Sequence, residues 1–155
     1  QIISSCFRTK ISHYISTKKG EITMTQLNIN VMDSIVNNLA AGKTISAALK
    51  AVYKTRNIAI PFDDKFKNVS IDELGISAPV RNTLKRAHLY TIGDIMKFGE
   101  SIGIQRIRGM GATKGMQMME SILNYAWDHM SMNERTEFLI DTVERNTEHI
   151  DYEAL

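Results

Sequence analysis

The residue types best suited to chemistry in this chain lie around two glycines, Gly109 and Gly111. Glycine adopts backbone conformations that other residues avoid, and it lets backbone N–H groups approach a ligand closely. A helix is expected to begin just after Gly111, and the first amides of a helix attract anions. Arg108 and Lys114 flank the turn and would add charge-assisted hydrogen bonds. The cluster predicts phosphate binding, and the alternative is a glycine-rich corner that binds nothing.

The spacing around these glycines is that of a helix-hairpin-helix motif. Apolar Ile104 and Ile107 precede the two glycines, and Gly115 follows at the position where two helices would cross. A second, degenerate copy of this apolar spacing covers residues 84–95 and contains a single glycine, Gly93. Paired units of this kind pack into one compact core, so we expect both copies in one domain.

Helical periodicity and capping residues extend along the rest of the chain. A serine or threonine followed three residues later by a carboxylate favours the start of a helical segment, and this pattern recurs at Ser70, Thr91 and Ser131. Ser77 is expected to cap the helix that precedes Thr91. Further helices are expected over residues 101–108 and 112–129. No strand is needed, so the sequence predicts an all-α fold, a compact helix-hairpin-helix domain with an N-terminal helical hairpin and an extra C-terminal helix.

Four segments follow from changes in periodicity, charge and proline content. They are residues 1–23, 24–67, 68–130 and 131–155. The first lacks a helical or strand pattern and is interpreted as a disordered tail or as a translated leader before a natural start at Met24. The second is an N-terminal helical hairpin with a connector, in which Asn30 or Asp33 caps a helix ending near Leu39. The third is the helix-hairpin-helix domain, and the fourth is an acidic C-terminal helix with a frayed tail.

Charge is distributed unevenly along the chain, although the net charge is only +2. Residues 76–116 carry seven basic and two acidic residues, whereas residues 117–155 carry two basic and nine acidic residues. A basic middle beside an acidic end is typical of a protein that binds a polyanion. The alternative is that both stretches are solvated helix faces. The composition, 43% apolar and 23% charged, is ordinary for a folded protein and argues against disorder throughout.

Four short motifs within residues 71–95 carry a likeness to a known domain. They are Leu74-Gly75-Ile76-Ser77, Asn82, Leu84-Lys85-Arg86-Ala87 and Thr91-Ile92-Gly93-Asp94. Together with the turn and helix of residues 108–123, they resemble the C-terminal domain of the bacterial RNA polymerase alpha subunit. The resemblance implies a domain that sits in the minor groove of A·T-rich promoter DNA and contacts transcription factors.

The resemblance also implies which residues would contact DNA. Asn82 stands at the family's DNA-contacting asparagine, and Gly111 stands at the glycine of its second hairpin. Pro79 replaces the family's principal DNA-contacting arginine, and the positive charge after the hairpin glycine is shifted to Lys114. The expected DNA-binding residues are Arg81, Asn82, Arg86, Arg108, Gly109, Gly111 and Lys114.

These observations predict a DNA-binding accessory protein or transcription regulator that contacts the DNA backbone through the helix-hairpin-helix. A·T-rich duplex is the expected partner, with RNA polymerase or a transcription factor as a further one. The alternative is a protein-interaction module that docks on polymerase or a transcription factor without binding DNA itself. Pro79 and the acidic end of the chain favour this alternative.

Side chains for catalysis or metal binding do not cluster in the sequence. The four histidines lack metal-ligand spacing, and no Ser/His/Asp or Cys/His arrangement is present. We therefore expect no enzymatic activity, no cofactor and no metal. No apolar run approaches the length of a membrane span, so no membrane partner is expected. Cys6 is the only cysteine, which fits a cytoplasmic location. The oligomeric state and the preferred DNA sequence stay open.

Overall fold

Helices are the regular elements of this protein in the computed structural model, which describes residues 26–54 and 58–155 together with Thr9. No strand forms within these residues, and only two isolated antiparallel bridges occur there. The predicted all-α class is confirmed. The predicted leader or tail over residues 1–23, and the predicted start at Met24, lie outside the described residues apart from Thr9.

The helices belong to two compact units, which are described separately. The first unit combines Gln1–Pro61 with Met130–Leu155, and the second unit is Phe62–His129. The α-helices of the described residues are α1 (Gln26–Ala40), α2 (Ile45–Lys50), α3 (Ala78–Arg86), α4 (Ile92–Ser101), α5 (Gly111–Asp128) and α6 (Met132–Arg145). Single 3-10 turns occur at Asp64–Phe66, Ile71–Glu73, Ile104–Arg106, Thr147–His149 and Tyr152–Ala154. The N-terminal hairpin and the acidic C-terminal helix, distant in sequence, therefore share one unit.

The core of the first unit forms where α1 packs against both α2 and α6. Val31 and Ile35 of α1 are fully buried, as are Leu139 and Val143 of α6. The prediction that the first helix begins at Asn30 or Asp33 is wrong, because α1 already begins at Gln26. Its extra turn contains the buried Asn28, so this turn belongs to the packed part of the unit.

The chain after α6 is held in the first unit by its backbone. Asn146 and Ile150 are each only 1% exposed. Two backbone hydrogen bonds of 2.9 Å join residues 52–54 to residues 149–151 around an antiparallel bridge. The prediction of a frayed tail over residues 146–155 is therefore wrong for residues 146–151. Glu148 and Glu153 of this acidic segment are exposed, whereas Ile150 between them is buried.

Capping boxes begin two helical segments of the second unit, as predicted. The side chains of Ser70 and Thr91 each accept a hydrogen bond from a following backbone amide, and the carboxylate three residues on accepts one from the backbone N–H of the cap residue. The same two residues face each other in an antiparallel bridge. Hydrogen bonds of 3.0 Å tie residues 69–71 to residues 90–92 on both sides of that bridge. Backbone hydrogen bonds thus join residues 69–71 to the start of α4.

Ser77 lies at the N-cap of α3, but the prediction that its side chain caps this helix is wrong, since its hydroxyl makes no capping hydrogen bond. An N-cap side chain normally accepts from the second or third backbone N–H of the helix. Pro79 occupies the second position and has no N–H group. One of the two possible donors is therefore missing, while the fixed backbone angle of proline still favours the first turn.

The segment before the glycine turn is shorter than predicted. The helix expected over residues 101–108 is wrong, because α4 continues to Ser101 and only the 3-10 turn Ile104–Arg106 follows it. Gly103 separates these two elements with a φ of 96°, a left-handed conformation that interrupts a helix. A single 3-10 turn therefore precedes Gly109 and Gly111 where the sequence pattern predicted a helix.

Candidate nucleic-acid interface

The turn at Gly109 and Gly111 has the backbone geometry that its composition predicted. Gly109 has a φ of 87° and Gly111 a φ of 64°, both in the region that favours glycine. Between them Met110 is 1% exposed, and its amide donates to the carbonyl of Ile107 at 3.0 Å. Ile107 is also buried. Two buried apolar residues thus anchor the turn and leave the glycine backbone at the surface.

Ile104 packs between glycines of two helices and so positions the turn. A Cβ atom added to Gly115 of α5 would lie 3.5 Å from Cγ2 of Ile104. A Cβ atom added to Gly99 of α4 would lie 3.2 Å from the side chain of the same isoleucine. Close packing at Gly115 is the arrangement the sequence predicted. The role of Gly99 was missed, and its sequence signal is a glycine inside a helix, where glycine is otherwise unfavourable.

The exposed surface of α3 has two flanks that follow from helical spacing. Arg81 and Lys85 lie one turn apart on one flank, and Asn82 and Arg86 lie one turn apart on the other. Both basic residues of the first flank form ion pairs within the second unit, and Asp72 is the shared acidic partner. Asp72 lies 2.9 Å from the ammonium of Lys85 and 3.7 Å from Nε of Arg81.

Arg81 is therefore held by the segment that precedes α3. Its Nη2 also donates to the carbonyl of Ile76 at 3.1 Å. One N–H group of the guanidinium is therefore used within the chain, and the carboxylate of Asp72 beside it would repel an external anion. Among the described residues that the sequence predicted to bind DNA, Arg81 is the one with an acidic side chain beside its guanidinium.

The second flank of α3 meets the glycine turn at Thr83. The hydroxyl of Thr83 accepts a hydrogen bond from Nη2 of Arg86 at 3.3 Å. The same hydroxyl lies 3.8 Å from the position that a Cβ atom on Gly109 would occupy. Asn82 is exposed on this flank, one turn before Arg86. The structure thus brings the flank of Asn82 and Arg86 next to the turn through Thr83, which no sequence motif indicated.

Lys114 approaches the turn from the helix that follows it. Its ammonium donates to the carbonyl of Gly109 at 3.4 Å. Arg108 is exposed beside the same glycine, and Arg106 is exposed at the end of the preceding 3-10 turn. With Arg86, four basic side chains therefore lie on or next to the glycine turn. We call the surface formed by Asn82, Arg86, Arg108, Gly109, Gly111 and Lys114 the hairpin surface.

No acidic side chain neutralises the cations of the hairpin surface within the part of the chain that the structure describes. The ion pairs found there for basic residues of α3 are those of Arg81 and Lys85. Asp94, one of two acidic residues in the basic stretch, caps α4 instead. Hydrogen bonds from the backbone amides of Tyr90 and Thr91 lower the pKa of Asp94.

The first turn of α5 adds uncapped amides to the same place. Met110 lies at the N-cap of α5, and no side chain there accepts a bond from the first backbone N–H groups. The opening residues Gly111, Ala112 and Thr113 are exposed. The first four amides of a helix lack partners inside it, and they carry its positive dipole end. Together with Lys114, they can bind an anion such as a phosphate group.

No known protein family, curated protein or solved structure matches this chain. The resemblance to the alpha C-terminal domain is therefore carried by the motifs of residues 71–95 and 108–123 alone. In the structure, Leu74 and Ile76 of its opening motif are buried, whereas Asn82 is exposed on α3.

Other kinds of site find little support in the described part of the chain. No group of three or more metal-ligating side chains occurs among those residues. No helix there is long and apolar enough to cross a bilayer.

Proposed function

We propose that this protein is a DNA-binding accessory protein, a transcription regulator that contacts the DNA backbone through the hairpin surface. The observation that carries the proposal is the convergence on one glycine turn of two cations from different helices. Arg86 of α3 reaches the turn through Thr83, and Lys114 of α5 bonds the carbonyl of Gly109. The uncapped amides of α5 begin at the same turn.

Phosphate groups of a nucleic acid backbone match this arrangement. Lysine, arginine, backbone amides and helix N-termini supply most protein–phosphate contacts and fix the orientation of the protein on the duplex. The resemblance to the alpha domain supports A·T-rich duplex DNA as the partner, and it supports RNA polymerase or a transcription factor as a second one. Asn82 is exposed on the same flank as Arg86, which supports a contact between its side chain and a base edge or sugar.

Electrophoretic mobility shifts on A·T-rich and G·C-rich duplexes, each at two salt concentrations, test the proposal. We expect A·T-rich duplex to bind more tightly and both to bind less tightly as salt rises, because cation–phosphate contacts release counterions. The substitutions Arg86→Ala and Lys114→Ala should each raise Kd about tenfold at low salt, the effect of losing one charge-assisted contact. Each should also reduce the slope of log K against log salt by about 0.9.

Lys43→Ala is the matched control, because it removes one positive charge from an exposed side chain of the first unit. We expect its affinity to equal that of the parent protein. Equal losses in Lys43→Ala and Arg86→Ala would show that only net charge matters and would remove the hairpin surface from the proposal. A second pair of results would favour the alternative function. If the protein binds no duplex at low salt but recovers polymerase subunits from nuclease-treated extract, it is a protein-interaction module and not a DNA-binding protein.

A further inference from the structure

Thr83 is a buried polar residue whose hydroxyl has two different partners. It is 3% exposed and lies on α3 between the core and the flank that carries Arg86. Its Oγ1 donates to the carbonyl of Pro79 at 2.9 Å. Because a hydroxyl has one proton, this donation leaves its lone pairs to accept the bond from Arg86 Nη2 at 3.3 Å.

The same side chain supports the glycine turn. A Cβ atom on Gly109 would lie 3.8 Å from Oγ1 and 3.9 Å from Cγ2 of Thr83, so the threonine lies directly beneath that glycine. Arg86 is exposed, and a free arginine of this kind samples many rotamers. A hydrogen bond from a buried, fixed acceptor restricts the guanidinium to the vicinity of the turn before any ligand arrives.

We propose that Thr83 is the positioning residue of the hairpin surface: its hydroxyl orients the guanidinium of Arg86 beside Gly109 for phosphate contact. This inference rests on the proposed function. Immobilising a long side chain opposes binding, and an interaction that restricts it in the free protein reduces that penalty. Thr83 therefore affects DNA affinity without contacting DNA.

Two substitutions separate the hydroxyl of Thr83 from its methyl group. Thr83→Val keeps the shape and removes the hydroxyl, and it leaves no orphaned carbonyl, since Pro79 C=O is also the helical partner of the amide at position 83. We expect Thr83→Val to raise the Kd for A·T-rich duplex about threefold with an unchanged melting temperature. Thr83→Ser keeps the hydroxyl, and we expect it to bind like the parent protein.

A double-mutant cycle with Arg86→Ala shows whether Thr83 acts through Arg86. In the Arg86→Ala background, Thr83→Val should cause no further loss of affinity, because no guanidinium remains to be oriented. Equal affinity of Thr83→Val and the parent protein would overturn the inference. So would a threefold loss that persists without Arg86, because the effect would then be a general change in the turn.

An NMR measurement on the free protein tests the positioning separately from DNA binding. The ¹⁵Nε order parameter of Arg86 should exceed that of exposed Arg108 and should fall in Thr83→Val. Equal order parameters for the two arginines would overturn the inference even if DNA binds. If the parent protein binds no DNA while Thr83 orders Arg86, the proposed function is wrong. The inferred role of Thr83 in DNA binding is then wrong as well, although the hydrogen bond to Arg86 is real.

Discussion

Asn146 brackets the peptide backbone of Ala59 with its side-chain amide. Its Oδ1 accepts from the N–H of Ala59 at 2.7 Å, and its Nδ2 donates to the carbonyl of Ala59 at 2.8 Å. The same Nδ2 donates to the carbonyl of Thr142 at 2.7 Å. Because Asn146 is 1% exposed, one buried amide joins the end of α6 to the segment that follows the N-terminal hairpin.

Replacing Asn146 with alanine should destabilise the first unit. The change removes three hydrogen bonds and leaves a gap beside partly buried backbone groups, so we expect the free energy of unfolding to fall by about 2–3 kcal/mol. Urea unfolding followed by far-ultraviolet circular dichroism measures this change. Glu137→Ala, at an exposed position of α6, is the control and should change stability by less than about 0.5 kcal/mol. A parent-like midpoint for Asn146→Ala would show that the bracket contributes nothing.

Removing the hydroxyl group of Tyr53 should stabilise the protein. Its ring is 5% exposed, and no described residue makes a hydrogen bond to its buried hydroxyl. A buried polar group without a partner destabilises the folded state, so Tyr53→Phe should raise the free energy of unfolding by about 1 kcal/mol at neutral pH. Thermal unfolding of Tyr53→Phe beside Tyr90→Phe, whose ring is exposed, measures the effect. A lower melting temperature for Tyr53→Phe would count against the hydroxyl being unsatisfied.

The same tyrosine should make stability fall at alkaline pH. Burial raises the pKa of Tyr53 to about 12. A tyrosine of the unfolded chain ionises near pH 10, so ionisation favours the unfolded state, and the free energy of unfolding falls as pH rises from about 10 towards 12. The stability difference between the parent protein and Tyr53→Phe should therefore widen across this interval. Parallel pH profiles would show that Tyr53 ionises normally in the folded protein.

Asp94 should contribute to stability only where it is ionised. Hydrogen bonds from the amides of Tyr90 and Thr91 lower its pKa, so its contribution is present above the unfolded value near 3.9 and is lost as pH falls through the lower folded value. We expect Asp94→Ala to lower the free energy of unfolding by about 1 kcal/mol at pH 7, a typical value for a capping side chain. The difference should shrink below about pH 4, as measured by urea unfolding at several pH values. A difference that is independent of pH would show that the carboxylate charge is not involved.

A side chain at Gly93 should clash with a neighbouring backbone carbonyl, although the φ angle of Gly93 is not positive. A Cβ atom there would lie 2.8 Å from the carbonyl oxygen of Lys67, the acceptor of the Gly93 amide at the same distance. Gly93→Ala must displace the backbone, and we expect a loss of about 1–3 kcal/mol in the free energy of unfolding. Gly75→Ala is the matched control, because a Cβ atom at Gly75 meets nothing within 4 Å. Equal unfolding midpoints for the two variants would contradict this packing.

The sequence by itself determined the all-α class, the capping boxes and the glycine turn. Ser70, Thr91 and Ser131 cap helical segments as predicted, because a capping box involves residues only three positions apart. Gly109 and Gly111 have the left-handed angles that their composition predicted, because such angles are a local property of the backbone. Of the expected DNA-binding residues, Arg108 and Lys114 flank that turn, and Arg86 is linked to it through Thr83.

Only the tertiary structure decided which polar groups have partners and which backbone segments are held. Asp72 binds Arg81, and Thr83 binds Arg86, although the two arginines look equivalent in the sequence of α3. Asn146 accepts a hydrogen bond from Ala59, 87 positions away, and this bond holds the start of an acidic segment that the composition predicted to fray. Such contacts depend on how helices pack, and local periodicity carries no information about partners so distant in the chain.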